Sequence, residues 1–509
     1  MEENNTSKRI AKNTLMLYFR QILIMIVSLY TVRVVLNTLG AEDYGIYNVV
    51  AGVVTMFSFL SGAMTTACQR YFSFALGKND EEKLKETFGI TISVFLLFVG
   101  ICFILAETLG LWFIKNKLVI PENRMIASVW VYHFSVITFL ITILNTPFMA
   151  SIVSHEEMNI YAYFSIIEVI LKLIIVFVLR WLSYDKLIVY GILLLLVSII
   201  NTSGYRFICR KRFIECRTKP IWNIEGIKEI SSFIGWNFFG SFASVVKNQG
   251  YNVFVNLFFG PVVNAAQSIA TQVRSAILNF SQNFSLAVRP QIIKQYAAGE
   301  YSKLQDFLIF SCKITFFLML IIVVPIYNSL DFLLLVWLKN VPEYTVIFVK
   351  LLLLESLIES ISFPMASLNQ ATGKIALYQF LIGITVMLNL PFTYIVLKLG
   401  FPPFFVYVGG IIFVSIISLI RLIFLKQINS FSIKKFIKNL IVPLIVLSCV
   451  CFFLCRFISF SNTNFLFAFV EIFIKLIIVL ICIFFIGFNK EDKHNIIQKI
   501  KGIIKRGKK

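Results

Sequence analysis

The sequence predicts an all-α polytopic membrane protein with about fourteen transmembrane helices. Three observations carry that expectation. Apolar residues make up 58% of the chain and charged residues only 14%, against roughly 45–50% and about 25% in soluble domains. Long apolar runs recur along the whole chain, with no gap above about 25 residues. Lys and Arg concentrate in alternate loops. A soluble chain of 509 residues could not cover its surface with so few charges. A soluble enzyme, a nucleic-acid-binding domain and a disordered chain are therefore disfavoured.

A helix needs about 20 mostly apolar residues to cross a bilayer. Such runs fall near 14–36, 46–69, 87–111, 126–150, 160–180, 187–208, 230–258, 263–288, 304–330, 345–368, 375–397, 402–425, 440–458 and 465–488. The polar start, Met1 to Asn13, precedes an apolar run too long for a signal-peptide core. No small-residue cleavage site follows, so the first helix is expected to stay as an anchor. With the N-terminus placed in the cytoplasm, the tails and same-side loops hold about 31 Lys/Arg and the opposite loops about 8. This bias puts both termini inside and accounts for most of the +21 net charge. The basic tail, Lys490 to Lys509, is assigned to anionic lipid headgroups in preference to nucleic acid. The nine Cys lie mostly in apolar runs, show no zinc spacing and read as small hydrophobes.

The chain also repeats itself weakly at an offset of 220. Gly40 and Gly260 each end an apolar helix, and Lys83-Leu84 matches Lys303-Leu304. Between these marks, Arg70 and Arg289 each close a helix ahead of a Gly-containing polar loop, GKNDEEKLKE or AGEYSKLQDF. Spans 1–6 and 7–12 then form two six-helix lobes, residues 1–225 and 226–430. Two further helices and the basic tail occupy 431–509. Six is even, so the lobes share one orientation and form a parallel repeat about the membrane normal. Transporters with this plan bind substrate between the repeats.

Polar residues inside spans mark function by default. Spans 7 and 8 are dense in amides. Asn248, Asn252 and Asn256 share one helical face, and Gln267, Arg274 and Gln282 another, with Asn279 nearby. Lys247 and Arg274 fall near the midplane of their spans. No acid lies on the same two helices, which favours an anionic ligand or water in front of them. The alternative is a salt bridge to Glu355 or Glu359 with amide bonding between helices. In the first lobe, Arg20 lies two turns into span 1 and Arg33 near its outer end, where it can also snorkel. Arg70 and Arg289 stand at the cytoplasmic entrance, and Arg70 also reads as a topological anchor. Glu168 and Lys172 are spaced to pair. Lys313, Lys350 and Lys475 are placed to snorkel. His133 is either a hydrogen-bonded structural residue or a proton site. No phosphate-cradling loop, zinc motif or nucleophile elbow is present, so the chain reads as a transporter and not an enzyme.

The stretch VRVVLNTLGAEDYGIYNVVAGVVTMFSFLSGAMTTACQRYFSFALGK (32–78) resembles the start of bacterial polysaccharide-export proteins. These are the O-antigen-type oligosaccharide-lipid flippases, in the superfamily that also holds the multidrug/toxin extruders and the lipid II flippase. The recognisable part is LG-x-x-x-YG-x-Y followed by QRYFS-x-x-x-G. The stretch NAAQSIATQVRSAILNFSQNFSLAVRPQIIKQYAAGE (264–300) is similar to the family's second lobe. The resemblance implies two six-helix bundles in a V, alternating access and a cationic lumen. It implies a plasma-membrane flippase moving undecaprenyl-pyrophosphate-linked oligosaccharide to the outer leaflet for O-antigen, capsule or exopolysaccharide synthesis. By helix position, the family's cavity cations map onto Arg20, Arg33, Lys247 and Arg274. A polysaccharide polymerase and glycosyltransferases are the partners it implies, beside the anionic lipids read from the basic tail. No cofactor is called for, and Na⁺ or H⁺ is the expected driving ion. The rival on the same fold is a multidrug extruder, which would want acids in its lumen. A membrane-embedded glycan polymerase would want a larger outer loop.

Overall fold

The computed structural model describes residues 2–55, 58–118, 120–181, 184–338, 340–428, 431–458 and 465–488. Among the described residues the secondary structure is helical, with no strand. A lipid-exposed backbone must satisfy its hydrogen bonds within the segment, which a helix does.

The first half holds α1 (Glu2–Leu39), α2 (Ala41–Thr55), α3 (Ser58–Gly77), α4 (Glu81–Leu105), α5 (Leu111–Lys117), α6 (Met125–Ser154), α7 (Met158–Trp181) and α8 (Lys186–Arg212). A π-turn, Ala106–Gly110, joins α4 to α5. Next comes α9 (Ile224–Ala297), a 74-residue run bent at Gly260. The second half holds α10 (Tyr301–Asn328), α11 (Leu330–Leu338), α12 (Thr345–Ala371), α13 (Ala376–Lys398), α14 (Phe405–Leu425), α15 (Ile433–Phe436), α16 (Val442–Arg456) and α17 (Phe465–Cys482).

Eleven described helical stretches are long and apolar enough to cross a membrane. One of them is α9, which the bend divides into two spans. The two remaining sequence-read spans fall on α2–α3 and on α12, whose Lys350, Glu355 and Glu359 dilute its apolarity. Along α1, Leu15, Phe19, Ile22 and Ile26 form an exposed stripe at helical spacing. Such a stripe suits lipid.

The offset of 220 recurs in the backbone. Gly40 and Gly260 both sit at positive φ, 84° and 78°, a conformation that favours glycine. The helices carrying Arg70 and Arg289 do not close at those residues. They run on to Gly77 and Ala297, again 220 apart.

By their contacts the helices form two compact units. Unit 1 comprises Met1–Phe242, Leu286–Gly299 and Gln370–Phe380. One of its cores joins Ile46, Val50 and Val54 of α2 to Val131, Tyr132 and Val136 of α6 and Leu187 of α8. A second joins Val34 and Val35 of α1 to Val176 and Leu179 of α7 and Val197 of α8. A third packs Leu17, Val153 and Met158 on Ala287 of α9.

One end of unit 1 is clasped by Arg124. Its guanidinium reaches Asp43 at 2.6 and 2.8 Å and Asp185 at 2.5 Å. Asp185 also caps α8, accepting from the Leu187 and Ile188 amides. Burial raises the Asp185 carboxyl, but the Arg124 bond and these amides outweigh it and hold it below the usual range. A carboxyl depressed by folding stabilises above its unfolded pKa of about 3.9 and loses that contribution as pH falls through the folded value. Arg124→Ala is therefore expected to cost about 1–2 kcal/mol at pH 7, discounted for partial exposure. It should also shrink the acid-side loss of stability. Melting curves in detergent from pH 7 to pH 3 check both; an unchanged acid limb would refute the linkage.

The Lys/Arg-rich end of unit 1 holds a second node. Glu156, at positive φ, is buried between Arg9 at 2.6 Å and Lys294 at 2.8 Å, and its carbonyl accepts from Asn13. Nearby, His155 and Ser151 hydrogen-bond Glu215 at 2.9 and 2.5 Å. Burial raises the Glu215 carboxyl, but these two bonds outweigh it and hold it low.

Unit 2 comprises Ala243–Ser285, Glu300–Asn369 and Leu381–Lys509. Here α17 packs on α10 and α16. Lys475 does not snorkel. It is buried, pairs with Glu471 and donates to Ser329 at 3.0 Å and to the Asn328 carbonyl. Lys313 is buried as well. A buried ammonium needs partners at hand, and those of Lys475 are Glu471 one turn away on α17 and the break between α10 and α11. Lys350 does reach outward, to Asp331 at 3.3 Å.

Candidate functional site

In unit 2 the charges of α9 meet those of α12. Glu355 and Glu359 lie one turn apart on one face of α12. Arg274 Nη2 donates to Glu359 Oε2 at 2.5 Å and to Glu355 Oε1 at 3.3 Å. Lys247 Nζ stands 3.8 Å from the same Glu355 oxygen. The carboxylate of Glu355 is 2% exposed, whereas Lys247 and Arg274 are 17% and 18% exposed. The acids that the sequence made available on another helix are thus the ones engaged. The expected picture of cations facing only ligand or water gives way to a quartet of balanced charge. Desolvation explains it, because a midplane cation without a counter-ion is expensive.

Tyr251 lies beside the quartet, its ring centroid 5.6 Å from Lys247 Nζ. Gln267, buried, donates to Asn252 at 2.8 Å, so two of the predicted amides meet across the Gly260 bend. Tyr251 donates to Asn389 at 2.7 Å, and Thr393 donates to the same oxygen. The Tyr251 and Tyr407 rings lie edge to face at 6.3 Å. Asn248, Asn256 and Gln282 are exposed and Asn279 half-buried. Tyr251, Asn389, Thr393 and Tyr407 are not among the residues that sequence spacing singles out. Tyr251 and Asn389 are 138 residues apart, and an isolated Tyr or Asn in an apolar run carries no spacing signal.

The remaining predicted residues belong to unit 1. Arg20 is buried over the Tyr161 ring and donates to Ser165 at 3.3 Å. Arg70 is buried against Tyr71, Phe74 and Phe233. Arg289 donates to Gln69 at 3.0 Å, a bond between two positions exactly one repeat offset apart. Arg33 lies on α1, and its side chain falls outside the described residues, as does the tail Lys490 to Lys509. Glu168 takes Lys172 at 2.6 Å and Asn201 at 3.0 Å, the pairing its spacing suggests. His133 on α6 hydrogen-bonds Glu107, within the π-turn, at 3.0 Å.

The helix order and this geometry define a multi-pass membrane protein with the fold of the MATE transporters. A solved MATE structure in complex with MaD3S is 12% identical, with a TM-score of 0.71 over 84% of this chain and 97% of that one. An outward-facing multidrug-resistance MATE transporter of the MOP superfamily is 13% identical, with a TM-score of 0.69 over 83% and 96%. A MOP-superfamily transporter from Pyrococcus furiosus, whose reversed binding-pocket polarity suggests a different function, is 12% identical with a TM-score of 0.69 over 83% and 96%. Among curated proteins no sequence match is found. Over residues 10–295 the chain matches the Polysaccharide biosynthesis protein family, and it belongs to that family.

Proposed function

We propose that the protein is a flippase. Its cargo in this reading is an undecaprenyl-pyrophosphate-linked oligosaccharide, moved from the cytoplasmic to the outer leaflet of a bacterial plasma membrane by alternating access. Residues 1–225 and 226–430 act as its lobes, 431–509 as an appendage, and both termini face the cytoplasm. The observation that carries the reading is membership of the polysaccharide biosynthesis family in a chain with Lys247 and Arg274 at mid-span. Arginine donors match a diphosphate in geometry as well as charge. The amides Asn248, Asn252, Asn256, Gln267, Asn279 and Gln282 offer hydrogen bonds to sugar hydroxyls. Arg20, Arg33, Arg70 and Arg289 supply cations along the first lobe and the entrance. The driving ion is Na⁺ or H⁺, and the polymerase and glycosyltransferases of the same glycan are its functional partners.

Glu355 and Glu359 favour a second reading, a multidrug extruder, because acids beside a binding site suit cationic drugs. The fold is common to both. One experiment separates them. On deletion, the flippase reading expects undecaprenyl-linked glycan to accumulate on the inner leaflet and surface glycan to be lost. Unchanged glycan display with raised sensitivity to cationic drugs would overturn it in favour of the extruder.

A further inference from the structure

The quartet on α9 and α12 is fully self-neutralised, yet it is unevenly shielded. Glu355 is the buried member, while Lys247, Arg274 and Glu359 are each partly exposed. The Arg274 guanidinium is also incompletely used, because its buried Nε has no hydrogen-bond partner. Glu355 is held close from behind by α14, where its Oε2 would lie 2.9 Å from a Cβ on Gly410. A dianionic headgroup approaching Arg274 therefore meets two carboxylates already in place.

We propose that Glu355 and Glu359 are an internal competitor for the anionic headgroup, released by protonation. The inference rests on the flippase reading and adds a regulation of the same site. When a diphosphate takes Arg274 and Lys247, the two carboxylates lose their counter-ions beside a new dianion. Like charges at that range cannot all stay ionised at low dielectric. Each displaced carboxylate then takes a proton from water, and headgroup binding and proton binding favour each other. The other groups facing the pair do not supply that charge. Tyr251 on α9 donates to Asn389 on α13, as does Thr393, and the buried Tyr407 hydroxyl on α14 has no hydrogen-bond partner among the described residues; all four side chains are neutral. Exchange also selects against cargo with one negative charge, which cannot replace two carboxylates.

The test uses the full-length protein in nanodiscs with two probes, a short-chain prenyl diphosphosugar and a soluble nucleotide diphosphosugar. A diphosphate esterified at both ends keeps its charge between about pH 5 and 8, so a pH effect belongs to the protein. Wild-type affinity is expected to rise as pH falls across that range, with proton uptake on binding. Glu359→Gln is expected to bind about tenfold tighter at pH 8 and to lose most of the pH dependence. Glu355→Gln carries the same expectation should the first variant not be recovered folded. An equal response to both probes assigns the effect to the diphosphate; a response to the prenyl probe alone assigns it to the lipid-linked headgroup. Arg274-dependent binding that the Gln variants leave unchanged would overturn the exchange and leave Glu355 and Glu359 as structural partners. No Arg274-dependent binding of either probe would overturn the flippase reading, and this inference with it.

Discussion

Arg274→Ala is expected to destabilise the protein by about 3–5 kcal/mol, more than any change of a single lipid-facing residue. Removing the guanidinium leaves Glu355, 2% exposed, with Lys247 at 3.8 Å as its remaining cation, and leaves Glu359 without its 2.5 Å partner. The penalty is that of stranded carboxylates rather than of a lost attraction. It should be largely relieved in the triple variant Arg274→Ala, Glu355→Gln, Glu359→Gln, which has no acid to strand. Melting temperatures of the purified proteins read the stability, and surface-glycan display reads export. The triple variant should melt near wild type and, on the proposed flippase reading, still fail to export. Restored export with restored stability would show that Arg274 matters only as a counter-ion for the acids.

Much of this fold is legible in the sequence because the bilayer leaves few options. Every crossing needs an apolar helix, so apolar runs place the helices within a few residues. The glycines at 40 and 260 marked helix ends because a positive φ is a local demand that shows in a single letter. Partners across helices are a different matter. Glu355 and Glu359 could be named as available, but α12 lies 81 and 85 residues from Arg274, and no spacing rule spans that distance. The same holds for Arg124. It counts in the sequence as one basic residue of a short loop, while its two carboxylates are 81 and 61 residues away. Lys475 was misplaced for a related reason. A cation near a helix end can snorkel or be buried, and only the neighbouring break at Asn328–Ser329 decides between them.

The intramembrane cations are held by two different means. Lys247, Arg274 and Lys475 in unit 2, and Lys172 in unit 1, lie beside carboxylates. In unit 1, Arg70 lies over aromatic rings, Arg20 over a ring and a hydroxyl, and Arg289 beside an amide. An aromatic face lowers the cost of a buried guanidinium without cancelling its charge. A carboxylate cancels it. The net charge of +21 therefore overstates the charge left uncompensated within the helices, which is unevenly neutralised.

Gly77→Leu is expected to part a helix crossing within unit 1, at a cost of about 3 kcal/mol. A Cβ on Gly77 would lie 2.6 Å from both the Cα and the carbonyl oxygen of Lys294, and 3.0 Å from the Cβ of Ala297. Backbone atoms cannot swing aside as a side-chain tip can, so α3 and the end of α9 must move apart. Lys294 also pairs with the buried Glu156 at 2.8 Å, and about two turns further along the crossing Arg289 donates to Gln69 at 3.0 Å. Both are drawn out by the same displacement, which makes the cost larger than the steric term alone. The crossing joins positions one repeat offset apart, Gly77 with Ala297 and Gln69 with Arg289, so both copies of the repeat present the same surface to it. Gly235→Leu is the control. That glycine lies in α9 with nothing within 4 Å of its added Cβ, and leucine there should be neutral or slightly stabilising. A melting temperature several degrees lower for Gly77→Leu than for Gly235→Leu supports the crossing as a closely packed contact. Equal values for the two variants would mean that α3 and α9 are not held together at Gly77.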